Sequence, residues 1–205
     1  MKRNMENREI EQIANDVLTK YVKRGGVHKV FNEIMKAEGI KFREMDSLNA
    51  DFVGALTKYS NGQSYIMFNR SIDNDGRKHF TIAHELGHYF LSHQLTQNSF
   101  YCLNDEIIEE GVWKNPIEQE ANYFASYFLM PEQKVKNAFL AILSRSKKTK
   151  AKYFLHVQNN WTFGIWCGIR DDLMKRYGVS EAALRYRLQQ LNLAKFEFVS
   201  NKNMV

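Results

Sequence analysis

The sequence predicts an α+β fold, mostly helical, with a small antiparallel β-element. Three observations carry this. Gly (11) and Pro (2) are scarce in 205 residues, and Leu, Lys, Glu and Gln are plentiful, a composition that favours helices. Apolar residues recur at three- and four-residue steps through much of the chain. One stretch, GALTKYSNGQSYIMFN, instead flanks Asn61-Gly62 with two short runs, the sequence signal of a hairpin.

The elements follow in order. Residues 5–24 carry Ile10, Ile13, Ala14, Val17, Leu18 and Tyr21 on one helical stripe, and Gly25-Gly26 ends it. Residues 27–38 repeat the spacing with Val27, Val30, Phe31, Ile34 and Met35, closed by Gly39. Strands are expected near 53–59 and 64–69, then a polar loop through 69–76. A strong helix spans about 77–93, followed by an irregular stretch to about 115. A further helix runs from about 116 to 129 and stops near Pro131. Residues 132–146 read as helical, and 171–192 as two short helices joined at Gly178. No internal repeat is evident.

Hydrophobic residues are 44% and charged residues 25%, which excludes a disordered, collagen-like or disulfide-scaffold chain. The longest apolar run, 138–143, falls far short of the roughly 20 residues that span a bilayer. The polar opening MKRNMENREIEQIAND lacks a signal-peptide core. Cys102 and Cys167 form no CxxC pair and are expected to be buried thiols. The expected location is the cytoplasm, with no membrane partner.

Charge divides the chain. Residues 1–132 hold 15 Lys/Arg against 19 Asp/Glu, while residues 133–205 hold 14 against 4. The sequence therefore reads as a core over 1–132 and a basic helical region over 133–205. That basic region suits nucleic acid or an acidic protein partner, or is a solvated surface that aids solubility.

The central feature is His84-Glu85-Leu86-Gly87-His88, an HExxH sequence. Residues i and i+4 share one helix face, so two imidazoles can converge on one ion at about 2.0–2.1 Å. Glu85 then lies where a general base is needed for a water activated by that ion. Phe80, Ala83, Leu86, Phe90 and Leu91 surround the motif with apolar bulk. A catalytic zinc keeps three protein ligands and an open position. The third is sought among Asp105, Glu106, Glu109, Glu110, Glu118 and Glu120. Glu118 is favoured because Ala121 and Ala125 lie on its stripe and permit close helix approach. Asn122, four residues on, can accept a hydrogen bond from a ligand histidine and orient it. Glu120 is expected to be an exposed surface carboxylate. His93 would point about 140° away from His88 on a continued helix, so it reads as a polar residue near the helix end. His28 and His79 read as structural or exposed, and His156 has no assigned role.

The runs HFTIAHELGHYFLSH and EQEANYFASYFLMP resemble the ImmA/IrrE metallopeptidase family, as does the later LMKRYGVSEAALRYRLQQLNL. The resemblance covers about residues 77–193. It implies a zincin-type core, with a small sheet packed on the HExxH helix and the glutamate helix. It implies metal ligation by His84, His88 and Glu118, with Glu85 catalytic. Related gluzincins usually carry Asp where this chain has Asn122, and an uncharged amide raises histidine basicity less. The implied cofactor is Zn2+, with Mn2+ also compatible with two nitrogens and one oxygen. The implied activity is intracellular endopeptidase cleavage of a helix-turn-helix repressor in a phage, mobile-element or stress circuit. The strand Ser64–Asn69 is expected at a sheet edge, where an extended substrate adds by backbone pairing.

Residues 171–192 have a helix-turn-helix rhythm, with Ser180 as cap of the second helix. Arg185 and Gln189 share its outward face, and Lys175 and Arg176 precede the turn. These four are the candidate DNA or partner contacts. The other reading of the pair is a structural one, completing the core or gripping substrate. A second function class therefore stands beside the peptidase: a DNA- or protein-binding regulator, or a toxin–antitoxin component, with a structural or vestigial metal site.

Overall fold

The structure, a computed structural model, is described over residues 5–23, 25–46, 52–93, 99–103, 115–146 and 153–197. The α+β, mostly helical architecture is as expected. Helix α1 (Asn7–Tyr21) buries Ile10, Ala14 and Val17, the predicted stripe. The second predicted helix is a 3-10 turn (Val27–Val30) running into α2 (Phe31–Ala37).

Strand β1 (Lys41–Met45), which the sequence does not predict, follows α2. All five of its residues are exposed, so no alternation of polar and apolar residues marks it. Strands β2 (Phe52–Lys58) and β3 (Ser64–Asn69) form the predicted hairpin, pairing Lys58 with Ser64 and Leu56 with Ile66. The connection is longer than a two-residue turn. The Tyr59 N–H bonds Gln63 O at 3.0 Å, Asn61 Oδ1 accepts from Gln63 N, and Gly62 takes φ 82°.

Helix α3 (Asp75–Phe90) carries HExxH, and β4 (Ser99–Leu103) follows it. The sheet order is β1-β3-β2-β4, with β1 parallel to β3 and the other pairs antiparallel. The sheet is thus mixed rather than purely antiparallel. The expectation that Ser64–Asn69 forms an edge is overturned. Strand β1 covers the outer side of β3, so its backbone groups already have partners.

Helix α4 (Pro116–Leu129) starts with Asn115, whose side chain accepts from Ile117 N, and has Pro at its first position. It crosses α3 closely. A Cβ on Gly87 would come within 3.1 Å of Ala121 O and Phe124 Cδ1. Small residues at both helices therefore set the distance between them, as the alanine stripe suggests.

Helices α5 (Glu132–Arg145), α6 (Asn160–Tyr177) and α7 (Glu181–Gln190) complete the chain, with β5 (Leu155–Val157) parallel to β6 (Ala194–Phe196). The joint at Gly178 is as expected, in the left-handed region at φ 64°, and Ser180 caps α7. The first helix of the pair is much longer than predicted. Gly164 and Gly168 depress helix propensity, but Asn159 caps the start and Ile165, Trp166, Ile169 and Leu173 bury one stripe.

One core runs through both charge halves of the chain, from Ile10 and Phe80 to Trp166 and Leu188. The α6–α7 turn packs on the start of α3. A Cβ on Gly76 would lie 2.3 Å from Ser180 N and Val179 C. His79 Nδ1 bonds Gly178 O at 2.6 Å, and His28 stacks on His79 with centroids 4.6 Å apart. No helix among the described residues is long and apolar enough to cross a membrane.

Candidate metal centre

Helix α3 buries His84, Glu85 and His88, each at most 1% exposed. The i, i+4 spacing brings His84 Nε2 within 2.9 Å of His88 Nε2. From the first turn of α4, Glu118 Oε2 reaches His84 Nε2 at 3.1 Å and His88 Nε2 at 3.4 Å. The three donor atoms all lie within 4.8 Å of one another. The residues expected as ligands are thus brought together, and so is the outer partner. Asn122 Oδ1 stands 2.8 Å from His84 Nδ1. An amide oxygen accepts only, so His84 donates through Nδ1 and keeps a lone pair on Nε2.

The donor set suits a divalent cation. Two imidazole nitrogens and a carboxylate oxygen converge from buried positions, an arrangement that repels itself without a positive ion between them. Burial lowers the His88 pKa to about 4, so this ring is neutral at physiological pH. Burial would raise Glu118, but its interactions with the adjoining His84 and His88 rings outweigh it and hold the carboxyl well below its ordinary range. Neutral imidazole beside carboxylate is the ligating form of both groups.

Glu85 is wholly buried, and neither carboxyl oxygen has a partner at hydrogen-bonding geometry. Burial pushes its pKa up to about 8, with His84 and the Leu56 backbone pulling weakly the other way. Gly54 of β2 makes the room. A Cβ there would sit 2.6 Å from Thr81 Cγ2 and 3.6 Å from Glu85 Oε1. A carboxyl held near neutrality in a dry site can both take and return a proton.

An open cleft of about 940 Å³ adjoins His88. It runs between the β2–β3 hairpin (Leu56, Tyr59, Ser64) and the end of α3 (Tyr89, Phe90). Of the three candidate ligands, His88 lines this cleft, so the cleft opens against one side of the candidate metal position.

Two expectations fail here. Glu120 is not an exposed carboxylate. Its side chain is 12% exposed, and Oε2 lies 3.0 Å from His93 Nε2. His93 does not point away from the site. Its Nδ1 stands 2.9 Å from His88 Nδ1. The helical extrapolation breaks because α3 stops at Phe90. Ser92, at φ 54°, folds the chain back, and the His93 N–H bonds His88 O at 3.1 Å. The spacing of Glu118 and Glu120 carried no signal for this pair, since side chains two residues apart on a helix do not face each other.

The remaining candidates lie apart. Lys175 and Arg176 are exposed near the end of α6. Arg185 lies over the Phe196 ring at 4.5 Å, and Gln189 is half-buried. The sequence reading missed Arg187, which is 1% exposed and donates from Nε to Met130 O at the end of α4. His156 pairs with Glu197 at 2.7 Å. Cys167 is free and half-buried rather than buried. Asp105, Glu106, Glu109, Glu110, the Cys102 side chain and the lysines at 147, 148, 150 and 152 fall outside what is described.

Two buried histidines and a glutamate whose donor atoms converge, with a buried carboxyl next to the first histidine and a cleft against the second, are the features of the metallopeptidase class. The Peptidase_M78 profile, IrrE N-terminal-like domain, matches residues 35–189, and the chain belongs to this family. Metallopeptidase ImmA of Bacillus subtilis (strain 168) is 37% identical over 82 residues, spanning 40% of this chain and 45% of that protein. The match thus covers less than half the length of the curated relative. A Mycobacterium tuberculosis transcriptional regulator shares the fold, with TM-score 0.52 and 18% identity over 89% of this chain and 48% of that one.

Proposed function

We propose that this chain is a zinc-dependent endopeptidase of the cytoplasm, with a helix-turn-helix transcriptional repressor as substrate. The observation that carries the enzymatic reading is Glu118 meeting both histidines while Glu85, unpartnered, lies beside them. A purely structural site has no use for that acid. When bound, the ion lowers the pKa of a coordinated water toward 7 and polarises the scissile carbonyl.

The chain's own residues do the rest. His84, His88 and Glu118 hold the ion, and Asn122 orients His84. Glu85 takes the proton from the attacking water and delivers it to the leaving amine. The hairpin and the end of α3 hold the substrate in the cleft. The repressor as substrate class rests on the family resemblance, and a basic C-terminal region suits an acidic partner surface.

The test pairs two readouts on Glu85→Gln. Metal content should match wild type while cleavage of a co-expressed repressor is lost. Unchanged cleavage would sink the assignment. The regulator reading is favoured by exposed Lys175 and Arg176. It requires salt-dependent DNA binding that Lys175→Ala weakens, with a shallower salt dependence.

A further inference from the structure

The two histidines differ in what stands behind them. His84 Nδ1 meets an amide oxygen directly. His88 Nδ1 meets a second imidazole, His93 Nδ1, at 2.9 Å. His93 Nε2 lies 3.0 Å from Glu120 Oε2. The other Glu120 oxygen accepts from the Met5 backbone N–H at 2.8 Å. The His93 and Glu120 side chains are 4% and 12% exposed, so solvent competes little for these bonds.

Following the protons gives this chain a direction. A neutral imidazole has one N–H and one lone pair. A carboxylate only accepts, so His93 donates to Glu120 through Nε2. With His93 neutral, its Nδ1 is then a lone pair and accepts. His88 therefore donates through Nδ1, which leaves its Nε2 lone pair facing His84 and Glu118. With the His93 tautomer reversed, His88 Nε2 would carry the hydrogen and could not ligate.

We propose that Glu120 and His93 are positioning residues of the metal centre. The relay from the Met5 N–H through Glu120 and His93 selects the His88 tautomer that binds metal. The inference rests on reading His84, His88 and Glu118 as ligands. It adds that the N-terminal segment preceding α1, through its backbone, takes part in organising the site.

Met5 makes the idea unusually open to test. In Glu120→Gln the Met5 N–H still needs an acceptor, so the amide oxygen turns toward it. The NH2 group then faces His93 Nε2 and reverses the relay. A glutamine of nearly the same shape should therefore do more harm than an alanine, which leaves His93 free to adopt either tautomer.

The experiment measures Zn2+ affinity by chelator competition for wild type, Glu120→Gln, Glu120→Ala, His93→Phe and the His93→Phe/Glu120→Gln double variant. Nitrogen-15 spectra of the histidine rings in metal-free protein read the tautomers directly. Wild type should show Nε2–H on His93 and Nδ1–H on His88. Glu120→Gln should reverse both and weaken zinc binding by about 10–100-fold, the range for outer partners of metal ligands. Glu120→Ala should lose less, and Gln at 120 should cost nothing once His93 is Phe. Wild-type spectra with Nε2–H on His88, a Glu120→Gln affinity within about twofold of wild type, or a greater loss in alanine would overturn the proposal. If Glu120→Gln does not fold, the wild-type spectrum decides alone. Zinc binding without peptide cleavage would defeat the peptidase reading and leave this one standing.

Discussion

Two helix pairs in this protein both carry polar residues at helical spacing, and the fold treats them differently. In α3 and α4 the polar side chains turn inward. His84, His88 and Asn122 are buried, with ring nitrogens and oxygens aimed at one another, and Glu85 is buried with neither oxygen at hydrogen-bonding geometry to a partner. In α6 and α7 the basic side chains face solvent, as Lys175 and Arg176 do, pair with carboxylates, as Arg170 does with Asp171 and Glu181, or serve packing. Arg185 covers Phe196, and Arg187 holds the end of α4. Burying polar groups around a gap costs stability, and such groups persist where they do chemistry. A basic surface costs nothing and says little about a ligand.

The comparison breaks first at Glu85. If the buried acid is the base, Glu85→Gln should lower cleavage by about 10²–10⁴-fold while zinc content stays at wild type. Steady-state cleavage beside metal analysis measures this.

The second test is the joint between the two pairs. Gly76 lies against the backbone of Val179 and Ser180, neither of which can yield as a side-chain tip can. Gly76→Ala should cost about 1–3 kcal/mol in urea unfolding, as overpacking does. Neutrality would mean that the α6–α7 turn can lift from α3, and that the C-terminal pair is more independent than its packing implies.

The third sharpens the claim about Glu85 through pH. Its folded pKa is raised from the usual 4.5 to about 8. The metal-free folded protein therefore holds a proton that the unfolded chain has released. That contribution is complete below 4.5 and is lost as pH rises through 8. His88, lowered from 6.5 to about 4, acts in the opposite sense but only below 6.5. Between pH 6.5 and 8 the metal-free protein should lose about 1–2 kcal/mol, and Glu85→Gln should flatten the slope. Denaturant titrations at the two pH values read it.

The smallest effect belongs to the exposed end of α6. Lys175→Ala and Arg176→Ala should change stability by no more than about 0.5 kcal/mol. A larger loss would show that these side chains hold the fold together.

The inner site was legible because its signals are local. HExxH places two histidines on one helical face, and Glu118 with Asn122 repeats that spacing beside alanines small enough for close crossing. The outer layer was hidden because it depends on where a helix stops. Continuing α3 through His93 turned that residue outward, whereas Ser92 at positive φ brings it back beneath His88. Glu120 became buried only because that histidine and the Met5 N–H meet it there. The sheet shows the same limit. The hairpin announces itself through Asn61-Gly62, but β1 is exposed along its length and has no hydrophobic pattern, so the interior place of β3 could not be read.

The central claim is that His84, His88 and Glu118 together hold one metal ion. Its most direct test is the metal content of natively purified protein by mass spectrometry, beside Glu118→Ala. The account predicts about one zinc per chain in wild type and loss of that zinc in the variant. A wild-type protein without metal, or a Glu118→Ala protein that keeps its full complement, would contradict it.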